Sequence, residues 1–181
     1  KPVASGCEWR DGQLQNEDAL ALSQQADIKL PYSQVNPYAF EPAIAPHLAA
    51  KQVGETISLT VLESQFTAMR LQADAVVVEG AGGWLVPLND QQTIADLAKA
   101  LNLPVVLVVA IKLGCINHAL LTVQAIADSG LKLVGWVAND FLDDSQSTAI
   151  IQSLKQRIAA PCLGIVPKLA EDEDASVYLT L

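Results

Sequence analysis

Three short, valine-rich apolar runs, at residues 74–79, 103–110 and 131–138, most strongly constrain what this chain can fold into. They do not alternate apolar and polar residues, which is typical of strands covered on both faces in a parallel sheet. A fourth short run at residues 162–166 predicts one more strand. Apolar residues at three- and four-residue spacing predict helices at residues 93–101, 116–129 and 145–158. This alternation predicts an α/β, three-layer domain with a mainly parallel sheet and right-handed crossovers.

The composition limits the partners that such a domain can have. Half of the 181 residues are apolar (51%), but no apolar stretch reaches the ~20 residues that cross a bilayer. The formal net charge is −9 without a lysine or arginine cluster, so nucleic acid and anionic membranes are poor partners. The cysteines Cys7, Cys115 and Cys162 are far apart and outside any CxxC spacing, which favours a reducing cytoplasm. We expect a cytoplasmic protein with a single domain over residues 1–181.

The residues that follow each apolar run are candidate site residues, because ligands of open parallel sheets bind beyond the carboxyl ends of the strands. The first run ends in Glu79, which is followed by Gly80, Ala81 and Gly82. A carboxylate there can bind a metal ion, and a glycine backbone can approach an anion closely and donate N–H groups to it. The pattern fits a flexible glycine turn equally well.

The later strand ends carry polar and turn-forming residues. Asn117 lies in the first turn of the helix after residues 103–110, where the helix dipole favours a carboxylate or phosphate. Such an asparagine is nevertheless more often a cap or turn residue. Side chains after the last two strands could frame a flat heterocycle, although loop capping is at least an equal alternative. These residues are Asn139, Asp140, Pro167, Lys168 and Leu169.

The N-terminal part of the chain offers a cation, a hydroxyl and a second carboxylate. Lys1 and Ser5 resemble the end of a strand that presents both groups to a site. Asp18 precedes an apolar-periodic stretch, so it is either a helix-start carboxylate or, together with Glu79, part of a site for a hard cation such as Mg²⁺. Residues 31–46 carry four prolines and are expected to form an irregular loop.

Six segments, in one order over essentially the whole chain, carry a resemblance to a known family. They are KPVASG (1–6), NEDALAL (16–22), VNPYAF (35–40), VVVEGAGGW (76–84), LGCINHALLT (113–122) and GWVAND (135–140). Together they resemble dethiobiotin synthetase. That family has a P-loop NTPase-like α/β fold, is usually a homodimer, and uses ATP and Mg²⁺ to join CO₂ to 7,8-diaminononanoate. The resemblance therefore implies a cyclo-ligase of biotin synthesis.

The resemblance also implies roles for the candidate residues. Lys1 matches the catalytic lysine, Ser5 a substrate contact, and Asp18 and Glu79 the Mg²⁺-binding carboxylates. Asn117 matches the residue that reaches the substrate carboxylate from the neighbouring subunit of the homodimer. The nucleotide contacts implied are Asp18, Glu79, Gly80, Ala81, Gly82, Asn139, Asp140, Pro167, Lys168 and Leu169.

One element of the family pattern does not occur in this sequence. The family places a GxxxxGK[ST] loop before the segment that matches KPVASG, so we expect a truncated chain that lacks the first strand and the P-loop and is inactive as given. Two alternatives to the synthetase stay open at this point. One is another ATP-dependent ligase of the same fold, such as a cobyrinate amidation domain. The other is a non-catalytic binding module or inactive remnant.

Overall fold

The computed structural model describes residues 1–141, 145–170 and 173–180. The chain divides into two compact units, Lys1–Leu101 and Asn102–Leu181. That the two act as one domain, as the sequence predicts, stays a prediction. Within the described residues, no helix combines the length and the apolar character needed to cross a membrane.

The first unit combines two small sheets with five helices. Strand β1 pairs in parallel with β4, whereas β2 and β3 form an antiparallel hairpin. The strands are β1 (Val3–Ser5), β2 (Glu8–Arg10), β3 (Gln13–Gln15) and β4 (Tyr38–Phe40). The helices are α1 (Glu17–Gln25), α2 (Tyr32–Val35), α3 (Pro46–Gln52), α4 (Leu59–Arg70) and α5 (Ile94–Leu101).

The second unit is a parallel sheet with a helix in each crossover. Its strand order is β5-β6-β7, and both neighbouring pairs are parallel. The elements are β5 (Val105–Ala110), α6 (Cys115–Asp128), β6 (Leu133–Asn139), α7 (Ser145–Arg157), β7 (Cys162–Val166) and a 3₁₀ turn (Ala175–Tyr178). Trp136, Ala138 and Leu154 form the centre of its buried core. The βαβαβ order predicted from the sequence is confirmed here.

Two expectations about local structure are wrong. Residues 74–79 form no strand, because no described strand pairs with them and an extended segment without a partner makes no ladder. Strand β5 is not covered on both faces, since Val106 and Val108 are 47% and 61% exposed.

The proline-rich stretch at residues 31–46 is more regular than the sequence predicts. It contains α2 and β4, and three of its four prolines lie at the boundaries of elements. Pro31 precedes α2, Pro37 precedes β4, and Pro46 opens α3. The first turn of a helix and the start of a strand need no N–H at that position, so proline is tolerated there.

Candidate active site

The ammonium group of Lys1 lies at the centre of a polar cluster in the first unit. Lys1 Nζ is 2.8 Å from Asp18 Oδ2 and 2.6 Å from Glu79 Oε1. It also donates a 3.0 Å hydrogen bond to the carbonyl oxygen of Gly80. Because both carboxylates contact the same nitrogen, Asp18 and Glu79 lie close together. Three candidates that are distant in the sequence therefore converge on one point.

The cluster combines a covered cation with accessible anions. The side chain of Lys1 is only 8% exposed, whereas those of Asp18 and Glu79 are 54% and 45% exposed. Burial acts to lower the pKa of the Lys1 ammonium, but hydrogen bonds and charges from Asp18 and Glu79 outweigh it and raise that pKa above its ordinary value. Lys1 is therefore a fixed positive charge at neutral pH, beside two carboxylates that solvent can reach.

Local sequence explains how the two carboxylates are presented. Asn16 caps α1, and its Oδ1 accepts hydrogen bonds from the backbone N–H groups of Asp18 (3.1 Å) and Ala19 (3.4 Å). The cap fixes the first turn of α1, where a carboxylate is favoured by the helix dipole. Glu79 is followed by a glycine-rich turn in which Gly82 has φ +74°, a backbone conformation that residues other than glycine rarely adopt. The turn brings the Gly80 carbonyl to Lys1.

A second layer of this cluster was missed by the sequence analysis. The buried side chain of Asn36 donates a 2.7 Å hydrogen bond to the carbonyl oxygen of Lys1 and accepts one of 2.9 Å from the hydroxyl of Tyr32. That hydroxyl accepts a 2.7 Å hydrogen bond from the backbone N–H of Asn16. The only sequence signal was an asparagine before Pro37 in a stretch expected to be an irregular loop.

Ser5 lies at the end of β1, in register with Phe40 of β4. The chain turns directly after it, where Gly6 (φ +71°) donates a 3.1 Å hydrogen bond to the carbonyl of Pro42. The turn leaves the Ser5 side chain half-buried at the strand end. This agrees with the strand end that the sequence predicts.

The remaining candidates belong to the second unit, at the carboxyl edge of its sheet. Ile111 donates a 2.8 Å hydrogen bond to the carbonyl of Asn139, and Asp140 donates one of 2.7 Å to the carbonyl of Val166. The ends of β5, β6 and β7 therefore meet at one edge. Asn139 ends β6 there and Asp140 follows it, whereas Pro167, Lys168 and Leu169 follow β7.

Asn117 lies at the same edge, in the first turn of α6. The preceding N-cap is Gly114, whose φ of +88° is left-handed and whose missing side chain leaves the cap without a side-chain acceptor. Asn117 is exposed. An exposed amide beside uncapped N–H groups is suited to receive an anionic group.

Comparisons with known proteins bear on what these two clusters do. A family model described as an AAA domain matches residues 1–176. The ATP-dependent dethiobiotin synthetase BioD of Cellvibrio japonicus is 54% identical, over 100% of this chain and 81% of that protein. The proteins of the same name from Pseudomonas paraeruginosa and Yersinia pestis are 52% and 47% identical, each over 98% of this chain and 78% and 74% of theirs.

The chain belongs to the dethiobiotin synthetase family. Identity at this level over nearly the whole chain confirms the resemblance seen in the six segments. It also confirms the P-loop NTPase-like α/β fold class and the enzyme class, a ligase. The assignments of individual site residues stay predictions.

The first unit of this dethiobiotin synthetase family member also contains an apolar cavity of about 580 Å³. Lys1 and Pro2 contribute to its wall, together with apolar side chains such as Leu22, Phe66 and Val78. Lys1 thus has carboxylates around its ammonium group and also borders an apolar cavity. A low-dielectric wall strengthens the interactions of the charges next to it.

The cluster can also be tested for its fit to Mg²⁺. Among the described residues, no three His, Cys, Asp or Glu side chains come together as a metal site. Mg²⁺ does not need such a cage, because it is commonly bound by one or two carboxylates, waters and substrate phosphates. Asp18 and Glu79 both contact the Lys1 ammonium, yet they are 54% and 45% exposed, so each keeps carboxylate surface that can donate oxygen to the ion. The residues present therefore fit Mg²⁺.

Proposed function

We propose that this chain catalyses the ATP-dependent carboxylation and ring closure of 7,8-diaminononanoate with CO₂ to give dethiobiotin. The observation that carries the proposal is the placement of Lys1 Nζ against Asp18 and Glu79, beside a glycine-rich turn. A fixed cation and two accessible carboxylates are groups that phosphoryl transfer requires, since it depends on positioning and charge neutralisation. The names of the relatives support the same reaction.

Within this proposal, Lys1 stabilises the negative charge that develops on the carbamate and the transferred phosphoryl group. Asp18 and Glu79 hold Mg²⁺, which neutralises charge on the nucleotide phosphates when bound. Gly80, Ala81 and Gly82 bring backbone groups to the nucleotide and the substrate, and Ser5 contacts the substrate. The high pKa of Lys1 suits this role, because a lysine that acts as a fixed charge must stay protonated.

The edge of the second unit would bind the adenine side of ATP. Asn139 and Asp140 supply amide and carboxylate groups for the edge of the base, and Pro167, Lys168 and Leu169 frame its face. Support comes from the joining of β6 and β7 at this edge through the Asp140 N–H. Ligands of open α/β sheets bind at such edges.

Asn117 would receive the carboxylate of the diamino acid from the neighbouring subunit of a homodimer. Its exposure and its position at the N-terminus of α6 support this assignment. The enzyme would act in the cytoplasm, with its two units forming one functional domain over residues 1–181.

The reaction proceeds in three steps under this proposal. One amine of the substrate adds to CO₂ and loses a proton, giving a carbamate. A carbamate oxygen attacks the γ-phosphorus of ATP, the bond to the β-phosphate oxygen breaks, and ADP leaves with that electron pair. The second amine then attacks the carbonyl carbon of the mixed anhydride and loses a proton, phosphate leaves with the electron pair of the C–O bond, and the ureido ring closes. Lys1 faces the negative charge in the last two steps.

The test is an assay of the full-length gene product with 7,8-diaminononanoate, ¹³C-bicarbonate, ATP and Mg²⁺. We expect dethiobiotin with one added ¹³C by mass spectrometry, and one ADP and one phosphate per product. ADP formation without labelled product, or with unchanged diamino acid, would refute the proposed reaction. Omission of Mg²⁺ is the control for metal dependence.

A further inference from the structure

A continuous hydrogen-bonded path joins the backbone of Lys1 to the start of helix α1. Asn36 Nδ2 donates to the Lys1 carbonyl (2.7 Å), and Asn36 Oδ1 accepts from the Tyr32 hydroxyl (2.9 Å). The Tyr32 oxygen accepts from the N–H of Asn16 (2.7 Å), whose side chain accepts from the N–H of Asp18 (3.1 Å). The path begins at the residue that carries the ammonium and ends at one of its carboxylate partners.

The donors and acceptors along this path allow only one arrangement. The second N–H of the Asn36 amide is used by the carbonyl of Tyr38 at 3.2 Å, so both amide hydrogens are engaged. The Tyr32 hydroxyl has a single hydrogen, and it must point to Asn36 because Asn16 contributes an N–H. A flipped Asn36 amide would place its oxygen against the carbonyl oxygens of Lys1 and Tyr38, and two acceptors cannot form a hydrogen bond.

Burial shows that the Asn36 end of the path holds its geometry tightly. Asn36 is 3% exposed. A buried amide that loses a partner bears the desolvation cost of the unsatisfied group, so each bond of the Asn36 amide favours the observed arrangement. Burial also raises the pKa of the Tyr32 phenol, although its bond from Asn16 acts in the opposite direction, so the hydroxyl keeps its proton at neutral pH.

Asn36 also holds Lys1 beyond the end of the strand ladder. The ladder between β1 and β4 reaches the bond from the Tyr38 N–H to the Pro2 carbonyl (3.3 Å). The backbone N–H of Asn36 is used by the carbonyl of Tyr32 (2.8 Å), so it makes no bond to the carbonyl of Lys1. The side-chain amide of Asn36 makes that bond instead, so Lys1 is held although it lies outside the strand.

We propose that Asn36 and Tyr32 are positioning residues. They hold the Lys1 backbone at a fixed position relative to the first turn of α1, so that the ammonium contacts Asp18 and Glu79. The inference rests on the role of Lys1 in the proposed function. A lysine side chain has four rotatable bonds, so its charge is placed only if the backbone at its base is fixed. Misplacing a reacting or stabilising group by about 1 Å can cost on the order of 10²-fold in rate.

The test compares two tyrosine hydroxyl deletions in the full-length gene product. Tyr32→Phe removes the middle of the path. Tyr38→Phe is the matched control, because the Tyr38 hydroxyl accepts a bond from the backbone N–H of Ser58 (3.1 Å) and takes no part in the path. We expect Tyr32→Phe to lower kcat roughly ten-fold with little change in the KM for ATP, whereas Tyr38→Phe keeps kcat near wild type.

A second readout follows the Lys1 ammonium directly, without substrates. Hydrogen exchange of its NH₃⁺ group is measured by ¹H–¹⁵N NMR, with Lys1→Arg used to assign the signal. We expect exchange to become several-fold faster in Tyr32→Phe and to stay unchanged in Tyr38→Phe, while urea unfolding confirms that both variants are folded. If Tyr32 only stabilised the fold, Tyr32→Phe would not selectively speed the exchange of the Lys1 ammonium group.

The two readouts separate failure of this inference from failure of the proposed function. Wild-type ammonium exchange in Tyr32→Phe, or a loss of kcat that both variants share in proportion to lost stability, overturns the positioning role. Full turnover by Lys1→Met overturns the catalytic role of Lys1, whatever the exchange measurement gives.

Discussion

Lys1 Nζ lies 2.6 Å from Glu79 Oε1, although the two residues are 78 positions apart in the sequence. The contact combines a covered ammonium with a carboxylate that is 45% exposed. Glu79 can therefore contact Lys1 on one side and a bound cation on the other. Removing the charge of Lys1 and removing the charge of Glu79 should therefore affect catalysis in different ways.

Glu79→Gln should weaken the dependence on Mg²⁺ and lower turnover sharply. A neutral amide keeps the shape of the side chain but loses the charge that a hard cation requires. The measurement is a magnesium titration of dethiobiotin formation, in which we expect a higher half-saturating concentration and a lower plateau. Glu55→Gln, at an exposed position of the same unit, is the charge-matched control. A titration identical to wild type would remove Glu79 from the metal site.

Lys1→Met should reduce kcat by about 10²–10³-fold, as expected for the loss of one group that stabilises developing negative charge. Lys1→Arg should recover only part of the activity, because a planar guanidinium does not place its charge where the ammonium lies. Steady-state kinetics with saturating ATP measure both variants. Equal kcat values for Lys1→Met and wild type would contradict the proposal.

The pH dependence of stability should report the same ion pair. The folded-state pKa of Lys1 lies above its ordinary value of 10.5, so pairing stabilises the fold fully below that value and is lost as pH rises through the folded pKa. The difference in unfolding free energy between wild type and Lys1→Met should therefore be constant from pH 6 to 9 and shrink only in stronger alkali. Urea unfolding at a series of pH values measures it; a difference that changes between pH 6 and 9 would be inconsistent with this pairing.

Asn117→Ala should raise the KM for the diamino acid far more than the KM for ATP. Its amide lies at the N-terminus of α6, where the N-cap Gly114 offers no side-chain acceptor. A bound carboxylate would therefore interact with both the amide and the free N–H groups. Separate titrations of the two substrates decide the matter, since a selective loss of ATP affinity would show that the subunit-bridging assignment is wrong.

The sequence predicts elements with a local hydrophobic period better than it predicts contacts between distant residues. The elements α6, β6, α7 and β7 begin and end within two residues of their predicted bounds, because covered helices and strands impose their periods on the sequence. The assignment of residues 74–79 to a strand failed because a strand depends on a partner that local pattern cannot show. The convergence of Lys1, Asp18 and Glu79 was anticipated through the resemblance to the family. The bonds of Asn36 and Tyr32 were not, since one buried amide leaves no pattern.

The last prediction concerns Gly164, whose place in β7 leaves no room for a side chain. A Cβ added there would clash with the backbone carbonyl oxygen of Tyr178 and would lie 2.9 Å from Leu179 Cδ2. Backbone cannot yield as a flexible side chain does, so the 3₁₀ turn Ala175–Tyr178 would have to move away from the strand. Overpacking of this kind costs about 1–3 kcal/mol.

Gly83→Ala is the matched control, because an added Cβ there meets nothing within 4 Å. We expect Gly164→Ala to lower the urea midpoint clearly and Gly83→Ala to change it little. Gly135→Ala should fall between them, since its Cβ would meet the side chain of Leu163 at 2.5 Å, and a side chain can rotate away. Equal midpoints for Gly164→Ala and Gly83→Ala would show that the 3₁₀ turn does not pack on β7 in solution.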